Sequence, residues 1–187
     1  MLFRSRTRHN AGFWLVERFA LQSGVALRME GKFQAIVGRL EPAGGSSAGS
    51  SGTWLVLPQG YMNASGRAVQ MLAGFFKIPA AEILVVHDEL DFAPGRLQIK
   101  TGGGLAGHNG LRSIAGVVGT QDFTRLRIGI GKPPHKEQGA DFVLKRLTGP
   151  ARTAVELDVA AAADAIELIL DVGLTVAQQQ VNAGMRG

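Results

Sequence analysis

At 187 residues the chain suits one domain, large enough to bury roughly 70% of its unfolded surface. It has no cysteine, which excludes disulfides, thiolate chemistry and Cys-based zinc sites. No apolar run approaches the ~20 residues that span a membrane, and no signal-peptide pattern opens the written sequence. The net charge of +5 hides an asymmetry. Residues 151–187 hold two bases and five acids, which leaves residues 1–150 with 18 bases against 10 acids. Such a basic body favours a polyanionic partner, nucleic acid above all; the other reading is a solvated surface kept for solubility.

In chain order, Phe13–Leu21 carries apolar residues at Phe13, Leu15, Val16, Phe19 and Ala20, a helical spacing. Lys32–Leu40 and Thr53–Leu57 read as strands, and residues 41–52 between them form a Gly/Ser-rich connection with nothing to bury. Ser65–Phe76 reads as a helix capped by Ser65 and ended by Ile78-Pro79. Ile83–Val86 is a short continuous apolar run, as expected of a strand covered on both faces. Arg96–Lys100 and Arg125–Ile130 read as further strands, with Gly110–Val118 as the helix between them. Glu137–Leu147 and Val155–Leu170 complete the predicted helices. Strands alternating with helices predict a single α/β domain, with a mixed, mainly parallel central sheet flanked by helices. Sites in such sheets lie beyond the carboxyl ends of strands. Asp88 falls at such a place after Ile83–Val86, and Asn63 after Leu57.

Four short polar segments carry the chemistry: Thr7-Arg-His-Asn10, Gly60-Tyr-Met-Asn63, His87-Asp-Glu-Leu-Asp91 and Gly102–Gly110. Together they supply a base, a carboxylate to orient it and two neutral amides, an inventory for hydrolysing an ester or amide with no metal or cofactor. His9 by itself reads as a surface or capping residue, and Asp88 as a cap of the following turn. Their pairing would raise both, because a carboxylate accepting from one imidazole nitrogen fixes the tautomer and supports the developing charge. His87, adjoining Asp88, points to the opposite face of a strand and reads as structural. Asn63 and Asn109 either donate to a substrate carbonyl or simply tolerate left-handed turns. Gly102-Gly-Gly-Leu-Ala-Gly107 matches G-x-G-x-x-G, but no strand-end acid follows at the spacing a ribose needs, and H-E-x-x-H and G-x-S-x-G are absent.

In this order and spacing, T-R-H-N, Y-M-N-A-S-G, H-D-E-L-D, the G-G-G…G-H-N-G-L run and R-L-R-I-G-I-G closely resemble bacterial peptidyl-tRNA hydrolase over nearly the whole chain. The resemblance implies a cytoplasmic, monomeric, cofactor-free and metal-free α/β enzyme. Its reaction would be cleavage of the ester between a peptide and the 3′ end of tRNA, recycling tRNA from aborted translation. It implies His9 as catalytic base and Asp88 as its supporting carboxylate. Asn63 and Asn109 would position the peptide and the terminal nucleotide, and Tyr61 would line the pocket where the family usually has Phe. Lys100 and Arg127 would grip the tRNA 5′ phosphate. Two departures stand out. The family's first strand, with an Asn that helps discriminate blocked from free aminoacyl-tRNA, is expected to be missing from an N-terminally shortened chain. Arg4 stands near the place of a family Tyr. The alternative is a non-catalytic RNA-binding relative of the family.

Overall fold

The computed structural model describes residues 7–42, 52–133 and 139–184. The expectations for the missing first strand, for Arg4, for most of the Gly/Ser-rich connection and for Glu137 and Gln138 lie outside these residues. The elements in chain order are α1 (Ala11–Gln22), β1 (Arg28–Glu30), β2 (Ala35–Leu40), β3 (Thr53–Pro58), α2 (Ser65–Phe76), β4 (Leu84–Glu89) and β5 (Leu97–Thr101). They continue with α3 (Asn109–Val118), β6 (Thr124–Gly129), α4 (Gly139–Leu144), α5 (Gly149–Val172) and α6 (Leu174–Gly184). The chain divides into two compact units. Residues 1–18, 84–101 and 124–187 make the first, and residues 19–83 and 102–123 the second.

The second unit holds an antiparallel sheet in the order β1-β2-β3. One face of β2 and β3 packs Ala35, Val37, Trp54 and Val56 against Ala68, Met71 and Leu72 of α2, with Phe33 buried beside them. The predicted strand Lys32–Leu40 starts later than expected. Residues Gly31–Phe33 make a tight 3-10 turn and Gln34 takes a left-handed φ of 51°, which drives Phe33 into the core and lets the strand begin at Ala35. Ser65 is the first residue of α2 rather than its cap. Ala64 holds the capping position without a side-chain bond, and the Ser65 hydroxyl lies 3.8 Å from the Met62 sulfur. α2 crosses α3 at a point where a Cβ on Gly66 would sit 2.2 Å from the Ser113 carbonyl oxygen, so only glycine fits there.

The first unit holds the sheet β4-β6-β5. Leu97, Ile99, Leu126 and Ile128 are buried on it, α5 packs on β6, and α6 packs on β5. The Asn182 side chain of α6 donates to the Ile99 carbonyl and accepts from its N–H, both at 3.0 Å, which blunts an otherwise open sheet edge. The α/β class stands, with mixed pairing and flanking helices. Parallel pairing is narrower than expected, because β4–β6 is the one parallel pair among the described strands. β5 and β6 pair antiparallel, with Thr101 opposite Thr124. The chain therefore leaves and re-enters at the same end of the sheet, and the intervening α3 belongs to the second unit instead of forming a crossover.

Asp158 is buried on α5 and accepts a 2.9 Å hydrogen bond from the Gly95 N–H. Burial raises its pKa above the usual carboxylate value, and the Gly95 bond pulls it back only in part. A raised folded pKa means stability is highest below the unfolded pKa and falls as pH rises through the folded one. Asp158→Asn keeps an acceptor for Gly95 while removing the buried charge, so its Tm at neutral pH should exceed that of the parent. Each ~1 kcal/mol relieved reads as about 2–4 °C in a chain of this size. Calorimetry at neutral pH and near pH 4 checks this, and a lower Tm for the variant at neutral pH would refute it.

Candidate active site

His9 sits in the 3-10 turn Arg8–Asn10 that leads directly into α1. The turn is fixed from several directions within the first unit. Thr7 is buried and forms an isolated antiparallel bridge with Arg146. Asn10 returns to Thr7 through its backbone N–H (3.1 Å) and its side-chain amide (2.9 Å). The Arg8 guanidinium stacks 4.2 Å over the Phe142 ring. Ala11 is fully buried, and a Cβ on Gly12 would lie 2.4 Å from the Val86 carbonyl oxygen of β4. Small residues at the start of α1 thus bring the turn against β4.

That approach places His9 Nδ1 3.0 Å from Asp88 Oδ1. In the neutral imidazole Nδ1–H donates to the carboxylate, which fixes the tautomer with the lone pair on Nε2. Burial lowers the imidazole pKa, but the hydrogen bond and the charge of Asp88 together outweigh it, and the net shift is upward from 6.5. The two atoms face each other at hydrogen-bond distance, an arrangement that orients the imidazole. Asp88 lies inside β4, not beyond its end, because β6 goes on pairing past the apolar run, with Asp88 opposite Ile128 and Glu89 opposite Gly129. His87 is buried on the other face, its ring Nδ1 2.7 Å from the Asp88 carbonyl, in keeping with a structural part.

In the second unit, Tyr61 precedes the 3-10 turn Met62–Ala64 that carries Asn63, and its side chain is almost wholly exposed, at 86%. Asn63 and Asn109 are both exposed. They sit on segments that pack together, since a Cβ on Gly110 would meet the Met62 sulfur at 2.9 Å. The G-x-G-x-x-G segment is a loop rich in left-handed residues, Ala106 included, that ends in a side-chain cap. His108 Nδ1 accepts from the Leu111 N–H at 3.3 Å at the start of α3. The sequence signal for that cap is a polar residue immediately before a helix.

Lys100 and Arg127 share a sheet face but are not register partners. Lys100 stands opposite Arg125, and Arg127 opposite Gln98. Lys100 is exposed. The Arg127 fork is engaged with Glu89, through Nε at 3.0 Å and a terminal nitrogen at 2.8 Å to the same oxygen. Glu89 was not among the residues expected from sequence.

A family profile described as Peptidyl-tRNA hydrolase matches residues 4–186. The chain belongs to the peptidyl-tRNA hydrolase family. Peptidyl-tRNA hydrolase of Azoarcus sp. strain BH72 is 44% identical over 179 residues, covering 96% of this chain and 78% of that protein. The Mycobacterium marinum enzyme is 43% identical over 181 residues, covering 96% and 91%. A crystal structure of peptidyl-tRNA hydrolase from Acinetobacter baumannii superposes with a TM-score of 0.84 at 40% identity, over 95% of this chain and 87% of that one.

The electrostatics of the pair give a direct expectation. Asp88→Asn removes the charge that raises the His9 pKa and leaves at most a neutral acceptor, while the burial that lowers it stays, so an NMR titration of the ring should move to lower pH than in the parent. The pair's contribution to stability is full below the unfolded imidazole pKa and is lost as pH rises through the raised folded value. A ring pKa that stays in place in Asp88→Asn would show that Asp88 does not set it.

Proposed function

We propose that this chain hydrolyses the ester between the peptide and the 3′ end of tRNA in peptidyl-tRNA, recycling tRNA from aborted translation, with His9 as general base. The observation that carries the reading is the oriented His9–Asp88 pair in a chain of this family. His9 Nε2 takes a proton from water as the water oxygen attacks the ester carbonyl. Asp88 supports the imidazolium that forms. The tetrahedral intermediate collapses by breaking the bond to the ribose oxygen, which receives the proton back from His9, so the products are free peptide and intact tRNA. Asn63 and Asn109 donate amide hydrogens that position the peptide and the terminal nucleotide, and Tyr61 offers an exposed ring to the substrate.

Residues 1–187 are read as one peptidyl-tRNA hydrolase-like domain, which the unbroken match over residues 4–186 supports. Among the described residues no helix is long and apolar enough to cross a membrane. The family resemblance carries the further reading of a cytoplasmic monomer that binds tRNA without cofactor or metal.

His9→Ala should lower turnover of N-acetylated aminoacyl-tRNA by roughly 10²–10⁴-fold, the range for a lost general base. Near-parental turnover in a direct hydrolysis assay would remove His9 from the mechanism. If the parent binds this substrate without cleaving it, the binding-only alternative replaces the hydrolase.

Lys100 and Arg127 are proposed to meet the tRNA 5′ phosphate, but the two substitutions are not equivalent tests. Arg127 neutralises a buried Glu89, and stripping one partner from a buried pair costs roughly 3–5 kcal/mol of stability. Lys100→Gln is the cleaner probe. It should weaken tRNA binding and reduce the slope of log K against log salt by about one unit, with the rate at saturation held. A slope equal to the parent's would leave Lys100 as surface charge.

A further inference from the structure

The H-D-E-L-D segment contributes Asp88 to the proposed chemistry, yet Glu89 is just as buried and has no part in it. Its two carboxylate oxygens are committed in different directions. Oε1 accepts from the Asp91 N–H at 3.0 Å, which fixes the carboxylate to its own turn. Oε2 accepts from both Nε and a terminal nitrogen of Arg127. The other terminal nitrogen of Arg127 donates to Gln98 Oε1, and the guanidinium lies 4.2 Å over the Phe92 ring. Phe92 is itself held from another side by the Arg96 guanidinium at 4.1 Å. An arginine is ordinarily a floppy side chain whose ordering is charged against any contact it makes. Here the carboxylate, the amide and the ring have already ordered it.

We propose that Glu89 is a positioning residue for recognition of a terminal phosphate of RNA. It holds the Arg127 guanidinium over Phe92, so that the remaining N–H on each terminal nitrogen is presented to a phosphate oxygen. This rests on the reading of Lys100 and Arg127 as the phosphate-binding pair. It adds a division of labour that the pair alone does not contain. Glu89 offsets the charge of Arg127, so Arg127 contributes geometry through directed hydrogen bonds, and exposed Lys100 contributes net charge. Lys100 therefore governs the dependence on salt. Arg127, through Glu89, governs the discrimination between a 5′-phosphorylated and a 5′-hydroxyl RNA end.

The test compares kcat and KM for peptidyl-tRNA carrying a 5′ phosphate or a 5′ hydroxyl, in the parent, Glu89→Gln, Arg127→Gln and the double variant. The double variant removes both charges and leaves neither buried alone, so it keeps the comparison interpretable if a single variant folds poorly. Glu89→Gln should raise KM for the phosphorylated substrate by about tenfold, the worth of one charge-assisted hydrogen bond, with kcat held. The preference for the phosphorylated end should shrink accordingly. In the Arg127→Gln background, replacing Glu89 should change that preference no further, because Glu89 acts through Arg127. An equal rise in KM for both substrates, a fall in kcat alone, or an independent effect of Glu89 in the Arg127→Gln background would overturn the proposal. A preference unaltered by Arg127→Gln would instead overturn the underlying phosphate reading of Arg127, and the role of Glu89 with it.

Discussion

The geometry of the candidate base depends on one close approach, that of the α1 start to β4. The space a methyl would need at Gly12 is taken by the Val86 carbonyl oxygen, 2.4 Å from an ideal Cβ. Any side chain there must push the helix start away from the strand. The turn before it has little freedom to compensate, because Thr7 is bridged to Arg146 and Asn10 is tied to Thr7. The displacement would pass to His9, whose 3.0 Å bond to Asp88 orients the imidazole. Reactive geometries are lost over displacements of about 1 Å, so a backbone contact without polar chemistry of its own sets the geometry of the polar pair beside it.

β4 then divides its polar residues between two faces. His87, Asp88 and Glu89 are consecutive and all buried, an expensive arrangement that persists only when each group is partnered. Alternation along a strand sends Asp88 one way, to His9, and Glu89 the other, to Arg127. Two carboxylates of nearly the same chemistry, one residue apart, thereby support an imidazole and a guanidinium that never compete for them. The parallel pairing with β6 is what places Arg127 within reach, since it stands opposite His87 in the register and diagonal to Glu89.

Much of this was legible in the residues. The bounds Ser65–Phe76 of α2 coincide with the reading from sequence, because its apolar spacing runs unbroken until Lys77 turns left-handed ahead of Ile78-Pro79. The union of His9 and Asp88, 79 residues apart, was foreseen from what a base near neutral pH requires. Other parts left no local signal. β1 is three residues, two of them charged, and is held in place by pairing with β2 rather than by any pattern of its own. α6 carries Gln178-Gln-Gln180 and reads as polar; its Gln178 and Asn182 serve the backbone of Ile99 on β5, a tertiary relation invisible along the chain. The antiparallel join of β5 to β6 escaped for a similar reason. A strand, a helix and a strand in succession usually make a crossover, and only the assignment of α3 to the other unit reverses that inference.

Charge is where the linear reading overstates most. Residues 1–150 carry 18 bases against 10 acids, as if the excess were spread over an accessible basic surface. In the folded chain Arg127 is paired with Glu89, Arg39 with Glu41 and Lys132 with Asp91. Arg125 is buried, and both burial and the neighbouring Arg127 lower its pKa. Residues that count equally in a net charge thus differ in what they can offer a polyanion. A paired or buried guanidinium offers direction, and an exposed ammonium such as Lys100 offers field. Salt screens the second far more than the first. Here both kinds occupy one sheet face, Arg127 on β6 and Lys100 on β5.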